Sequence, residues 1–482
     1  MVHLLDLPDE LLMQICEGLP PIDEQPHHAT DIKSCRLTCQ RLCAASSHLL
    51  VPVVAVDCRL ASLERFNEII HHPAIGKGVR TVRIPLHSYR RELSEVRTSF
   101  VKFIAEPAIH DLKNLHDAGA ALGLFRRLMD QDLGLQGEHT KHDDHVWLRA
   151  LDLVHGEYQR LFREQELLRR DGHFANTVAL ALAKMPHGTA LVFDDKSCSK
   201  LDAANIEPIF QKHCCSLDLN PDFWRFEWYQ MLSPNTWTYL VSDDFGWGPF
   251  SPNPAFEEPH LDFVLNLPSA IARAGGKLRH LQFHLKHHRD LDAVPLRIAA
   301  QPDFTMAMQE VEAITVIMRE RHEDMTADGF TSLLLAKASN LRSLYMSLAY
   351  AGLQLRGLVS RPLHHLRQLH LDRAEIKVSE LVDLLSGLPE YLDAMHLGFV
   401  VLAEGTWAQA LDALREKSYG SLMIEAPDQP GHDDARWAFE PMGNIVYADR
   451  TGWLVVARRR VLGSLSPAEA FVLKLTSTNP CR

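Results

Sequence analysis

Basic charge is scarce in this chain, and that scarcity argues against one class of function. Lys and Arg total 50 against 62 Asp and Glu, a formal net charge of −12. A nucleic-acid backbone needs a basic footprint, and this balance supplies none. The acidic excess favours solubility and names no partner. Long apolar runs are also missing. The longest near the N-terminus, 49–56, is interrupted by Pro52 and falls far short of the roughly 20 residues a membrane-spanning helix needs. No basic stretch followed by an apolar one opens the sequence, so no secretory leader is expected. The nine cysteines are odd in number and follow no framework spacing. They read as thiols of a reducing compartment, used as small apolar residues, which points to cytosol, nucleus or both. Neither Gly-x-Ser-x-Gly nor His-Glu-x-x-His occurs, so the usual hydrolase elbow and zinc-protease helix are not expected.

What is present describes a folded protein. Hydrophobic residues make up 46% and charged residues 23% of 482, enough for two or more domains or one long repeat array. The first fifty residues carry the sharpest pattern. Pro8 sits where a helix start tolerates its missing N–H, and Asp9 and Glu10 put negative charge in the first turn. Leu12, Ile15 and Leu19 follow at helical spacing beside Leu11. After the polar loop 20–33, Thr30 or Asp31 is a ready N-cap. Ile32, Cys35, Cys39, Leu42, Ser46 and Leu49 then predict one continuous helix with a narrow apolar stripe. Two such helices cannot close a core alone, so their faces need a partner.

From residue 53 the periodicity changes. Val53–Val56 is a short strand candidate, and Leu63, Phe66 and Ile70 mark a helix before Pro73. A pattern with apolar residues at positions one, four and six then recurs. It runs as Val79-x-x-Val82-x-Ile84, Leu278-x-x-Leu281-x-Phe283, Leu341-x-x-Leu344-x-Met346, Leu366-x-x-Leu369-x-Leu371 and Leu392-x-x-Met395-x-Leu397, with a weaker 190–193 in the series. The last two of each set share one face of a strand. Helices are expected between the strands: one capped by Asp328, one capped by Ser379 with Leu381, Leu384 and Leu385, and one opened by a Thr406/Gln409 capping box. The unit is strand, loop, helix, and stacking buries what each unit leaves bare. The stretches 86–185 and 216–275 interrupt the period and read as insertions.

The run Leu7-Pro8-Asp9-Glu10-Leu11-Leu12-x-x-Ile15 with Cys35-Arg36-Leu37-x-Cys39-x-x-Leu42 resembles an F-box, over about the first tenth of the chain. The loop 20–33 is longer than that motif's usual link. The region after it is similar to the degenerate leucine-rich-repeat domains that follow many F-boxes, especially in fungal proteins, although the asparagine usual after the strand is missing. The expected fold is therefore α/β: a helical F-box over 1–52, then an irregular leucine-rich-repeat-like solenoid over 53–482. The resemblance implies that the helices dock on the Skp adaptor, and through it on a cullin, with Leu7, Pro8, Leu11, Leu12, Ile15, Leu37 and Leu42 as the contact residues. The repeat region would hold a protein substrate for ubiquitination. No cofactor, metal, nucleic acid or membrane is implied, and catalysis would lie in other subunits.

Two further clusters carry chemistry. His139, His142 and His145 recur at a spacing of three beside Asp143 and Asp144. Imidazoles so placed can bind zinc, but the glycine-flanked, charged context reads first as an exposed loop or helix end. A metal-dependent enzyme built on them is the less favoured alternative, beside an F-box scaffold with no ubiquitination role. Segment 221–256 is dense in aromatics, with Trp224, Trp228, Trp237 and Trp247. Large rings are buried more often than displayed, yet aromatics also dominate binding hot spots. These four tryptophans are the substrate-contact candidates.

Overall fold

The structure is a computed structural model, described here for residues 6–17, 28–86, 88–100, 142–185, 189–194, 259–285, 302–318, 328–348, 363–425 and 472. Three short helices come first: α1 (Asp9–Glu17), α2 (His28–Thr38) and α3 (Gln40–Ser46), followed by a 3-10 turn over Ser47–Leu49. The single helix expected across 30–49 is therefore two. Cys39 is fully extended (φ −161°, ψ 166°) and breaks the run. Just before it, the Thr38 hydroxyl donates back to the Ser34 carbonyl at 3.0 Å, a bond that tends to bend helices. Past the break the register restarts, and Leu42, Ala45 and Ser46 become the buried positions.

Nine strands follow in one sheet: β1 (Val53–Ala55), β2 (Thr81–Pro85), β3 (Thr189–Asp194), β4 (Leu278–Leu285), β5 (Ala313–Met318), β6 (Ser343–Ser347), β7 (Gln368–Asp372), β9 (Tyr391–Gly398) and β11 (Ser418–Ile424). All neighbours pair parallel, and their spatial order is their chain order. A two-stranded parallel sheet, β8 (Glu375–Lys377) with β10 (Val401–Glu404), sits beside it. The helices between strands are α4 (Leu60–His71), α5 (Arg91–Glu95), α6 (His142–Arg170), α7 (His173–Ala183), α8 (Pro259–Arg273), α9 (Pro302–Gln309), α10 (Asp328–Lys337), α11 (Val378–Gly387) and α12 (Trp407–Arg415).

The repeated apolar pattern explains the register. Its fourth position aligns across strands as Val82, Leu191, Leu281, Ile314, Leu344, Leu369, Met395 and Leu422. Its sixth aligns as Ile84, Phe193, Phe283, Val316, Met346, Leu371, Leu397 and Ile424. Both ladders are buried in one continuous core. Because side chains alternate along a strand, a one-residue slip in any strand would throw both rows to the opposite face. The helices pack on these ladders: Phe263, Leu267 and Ile271 of α8, Leu381, Leu384 and Leu385 of α11, and Trp407, Leu411 and Leu414 of α12 all lie in that core. The stretches 86–185 and 216–275 contribute α7 and α8 to this layer, where they contact each other. The capping box at Thr406 is present, with Thr406 N–H donating to Gln409 Oε1 at 3.0 Å and Gln409 N–H to Thr406 Oγ1 at 3.3 Å. Ser379 is not a cap. The short strand β8 runs directly into α11, leaving at the N-cap position Lys377, whose side chain makes no capping bond and instead pairs with Glu404.

Candidate partner-binding surfaces

The helical module is built around a small core that it closes from its own residues. Leu12, Leu42 and Ala45 are buried together, with Leu7 and Cys39 packed against them. Pro8 stands before α1, and its carbonyl receives Leu11 N–H and Leu12 N–H, both at 3.1 Å. Arg41 of α3 clamps the start of α1, reaching Asp9 Oδ1 at 2.6 Å and the Leu7 carbonyl at 2.8 Å. At the other end of α1, His48 Nε2 lies 3.2 Å from Glu17 Oε1. With α1 fixed at both ends, its two faces separate cleanly. Leu12 and Cys16 point inward, and burial pushes the Cys16 thiol's pKa up. Leu11 and Ile15, one turn apart, stay 43% and 47% exposed, and Leu37 on α2 is 88% exposed. Leu11, Ile15 and Leu37 are thus aliphatic side chains that this module leaves largely in solvent.

The expected contact residues thus fall into two groups. Leu11, Ile15 and Leu37 are at the surface with Pro8, whereas Leu12 and Leu42 are inside. The helical module is joined tightly to the sheet. A Cβ on Gly78 would lie 1.5 Å from the His48 carbonyl oxygen, so the turn after α3 rests directly on the turn before β2. Arg80 N–H and Thr81 N–H both donate to the Pro52 carbonyl, at 2.8 and 3.1 Å.

The second surface is the sheet face opposite the ladders. Between the two apolar rows runs a third, in register: Arg83, Val192, Gln282, Thr315, Tyr345, His370, His396 and Met423. Ion pairs and hydrogen bonds tie this face together. Asp194 Oδ2 is 3.6 Å from Arg83 Nε, Ser347 donates to Asp372 at 2.9 Å, and His396 Nε2 is 3.7 Å from Glu425 Oε1. Tyr345, His370 and His396 follow one another across three strands, with ring centroids 5.9 and 5.7 Å apart. Burial dominates the electrostatics. It holds the His370 pKa down at about 4, with the His396 charge adding to the effect. It lowers His280 and His284, raises Asp372, and pushes Tyr345 up to about 12. His370 is therefore a neutral imidazole at physiological pH. This polar row was missed in the sequence because its residues share no type; only their alternation with the apolar rows marks them.

Among the described residues no three His, Cys, Asp or Glu side chains converge as a metal site. His142 and His145 belong to the first turn of α6, and His139 lies outside the described residues, as do Trp224, Trp228, Trp237 and Trp247. Among the described residues no helix is long and apolar enough to cross a membrane. Two strands of the nine-stranded sheet went unread, as did the short β8 and β10: Val311-x-x-Ile314-x-Val316 and Tyr419-x-x-Leu422-x-Ile424 carry the recurring pattern and form β5 and β11.

Comparison with known proteins agrees with the helical module. No curated protein and no solved structure matches the chain. One family model does match, the F-box domain, over residues 4–52. F-box domains in general bind the Skp adaptor within SCF-type ubiquitin ligases, and α1–α3, with their clamped ends and exposed aliphatic residues, are the F-box of this chain.

Proposed function

We propose that the chain is a substrate-recognition adaptor of an SCF-type ubiquitin ligase, working in the cytosol, the nucleus or both. Its F-box would engage the Skp adaptor and through it a cullin, while the sheet region holds a protein substrate. The observation that carries this reading is the split of the F-box residues. Leu12, Leu42 and Ala45 already close the module's core, so the exposed Leu11, Ile15 and Leu37 have no structural task within α1–α3 and are free for a partner. Leu12 and Leu42 then act by holding those residues in place. Leu7 and Pro8 set the entry into α1.

The region 53–425 supports the other half of the reading. An all-parallel sheet whose strand order equals its chain order, with helices on one face, is the arrangement of a leucine-rich-repeat-like solenoid. Its unit is a strand followed by a helix, and each unit contacts chiefly its neighbours. Such arrays present one extended face to a partner. Catalysis would belong to the other subunits of the ligase, and the aromatic segment with Trp224, Trp228, Trp237 and Trp247 remains a substrate-contact proposal.

The test is affinity purification of the tagged chain from cells with and without proteasome inhibition. The reading expects the Skp adaptor and a cullin in both samples and a protein enriched only on inhibition. Recovery without either ligase subunit would contradict it. Recovery of both subunits with no ubiquitinated companion would favour the scaffold alternative.

A further inference from the structure

The outward face of α1 is not the one that burial alone would choose. Its exposed pair is Leu11 and Ile15, and its buried pair is Leu12 and Cys16. Each pair spans one helical turn, and the two lie about 100° apart around the helix axis. Leucine balances leucine, but isoleucine carries more apolar surface than cysteine and gains more by leaving water. A roll of α1 by one residue would therefore bury the more apolar pair and expose Leu12 and Cys16. At nine residues, α1 is also too short to be a stable helix by itself, so its contacts with α3 and the turn after it decide the roll.

Arg41 supplies the contact that holds the observed roll. Its Nε and Nη2 donate to Asp9 Oδ1 at 3.1 and 2.6 Å, and Nη2 also donates to the Leu7 carbonyl at 2.8 Å. These two acceptors straddle Pro8, whose ring fixes φ and whose own carbonyl takes the first N–H bonds of α1. A planar guanidinium reaches both only while Asp9 faces α3. A roll of about 100° carries the Asp9 carboxylate away while the Leu7 carbonyl stays behind. Glu17 and His48 hold the far end, but through one long side chain and no backbone atom of α1, so that pair follows a roll more readily.

We propose that Arg41 is a positioning residue for adaptor binding: it selects the roll of α1 that keeps Leu11 and Ile15 at the surface. The inference rests on the adaptor reading for what those residues dock, and on Arg41, Asp9 and Leu7 for how they are presented. Exposed ion pairs contribute little to global stability, and side chains 45% and 71% exposed put Arg41 and Asp9 in that class. A small free energy still decides between two nearly balanced arrangements. Removing Arg41 therefore hides the docking face without unfolding the module.

The experiment measures two quantities on the full-length chain: alkylation of Cys16 by iodoacetamide, resolved by peptide mass spectrometry, and affinity for purified Skp adaptor. Cys16 is 3% exposed in the wild type and should label slowly. Arg41→Ala should speed its labelling roughly tenfold and weaken adaptor binding by a similar factor, because both follow the population of the rolled helix. Its melting temperature should stay unchanged. Arg41→Lys keeps the charge but not the fork and should fall between. Asp9→Ala should move both readouts in the same direction as Arg41→Ala. Adding Ile15→Ala to Arg41→Ala removes the drive to roll, so Cys16 should again label slowly, which loss of a merely structural clamp would not produce. Slow labelling of Cys16 in Arg41→Ala overturns the proposal. So does fast labelling accompanied by a lowered melting temperature, or labelling that stays fast in the Arg41→Ala/Ile15→Ala chain. Unchanged adaptor affinity in a fast-labelling Arg41→Ala chain overturns it as well. The labelling pattern needs no partner. If it holds while the wild type fails to bind the adaptor, that counts against the adaptor reading and not against the role of Arg41 in setting the roll.

Discussion

At the scale of single residues, position and exposure decide role more firmly than residue type. Leu11 and Leu12 are adjacent and chemically identical, yet one faces solvent and the other is fully buried. Truncating Leu12 to alanine should cost about 2–5 kcal/mol, the usual penalty for emptying a core leucine site, and should melt the helical module. Leu11→Ala should leave the melting temperature of the full chain within a degree or two. Thermal unfolding of the two variants, followed by circular dichroism, checks this. His370 gives a pH prediction. Its folded pKa of about 4 lies below the ordinary histidine value of 6.5. Above pH 6.5 both folded and unfolded states hold it neutral. Between 6.5 and 4 the unfolded chain takes up a proton that the folded chain refuses, so stability falls as pH falls. His280 and His284 act with the same sign. Asp372, whose carboxyl is raised by burial, acts oppositely near the lower end of that range. Urea midpoints measured from pH 7 to 4.5 should therefore decline, and His370→Gln should flatten the decline.

At the scale of elements, the turn chemistry of α12 was legible in full: Thr406 and Gln409 stand at the spacing a capping box requires, and the two reciprocal bonds form. Thr406→Ala should cost about 1 kcal/mol, readable as a lowered urea midpoint with α12 otherwise intact. The strands were legible wherever the one-four-six pattern opened with leucine, as before β6, β7 and β9. The valine-opened pattern before β2 was legible too, whereas the same pattern opened by Val311 and Tyr419 before β5 and β11 was overlooked, although burial needs only an apolar side chain there. The split between α2 and α3 was hidden for another reason. The stripe from Ile32 to Leu49 is consistent with one helix locally, whereas in the structure Cys39 is extended where it packs against the core of Leu12, Leu42 and Ala45. The polar row through His370 and His396 is likewise a product of strand register, which no single stretch of sequence displays.

At the scale of the molecule, the F-box is mounted on a long parallel sheet. The mounting is the contact of Gly78 with the His48 carbonyl, where no side chain fits. Gly78→Ala should displace the turn after α3 from the sheet and lower the melting temperature by several degrees while leaving far-UV helix content unchanged; differential scanning calorimetry checks it. A Gly78→Ala chain that melts like the wild type would show that the two parts are not braced there. This seam could not be read from sequence, since it joins two turns thirty residues apart through backbone atoms alone. In the proposed function the exposed aliphatic residues of α1 and α2 dock a partner subunit while the buried ones only support them. It is tested most directly by the affinity of purified Skp adaptor for the full-length chain and for its Leu11→Ala/Ile15→Ala double variant, measured by calorimetry alongside their melting curves. Binding by the wild type is expected, with a loss of roughly a hundredfold or more in the double variant and matching melting curves. Unchanged affinity in the folded double variant, or no binding by the wild type, would contradict it.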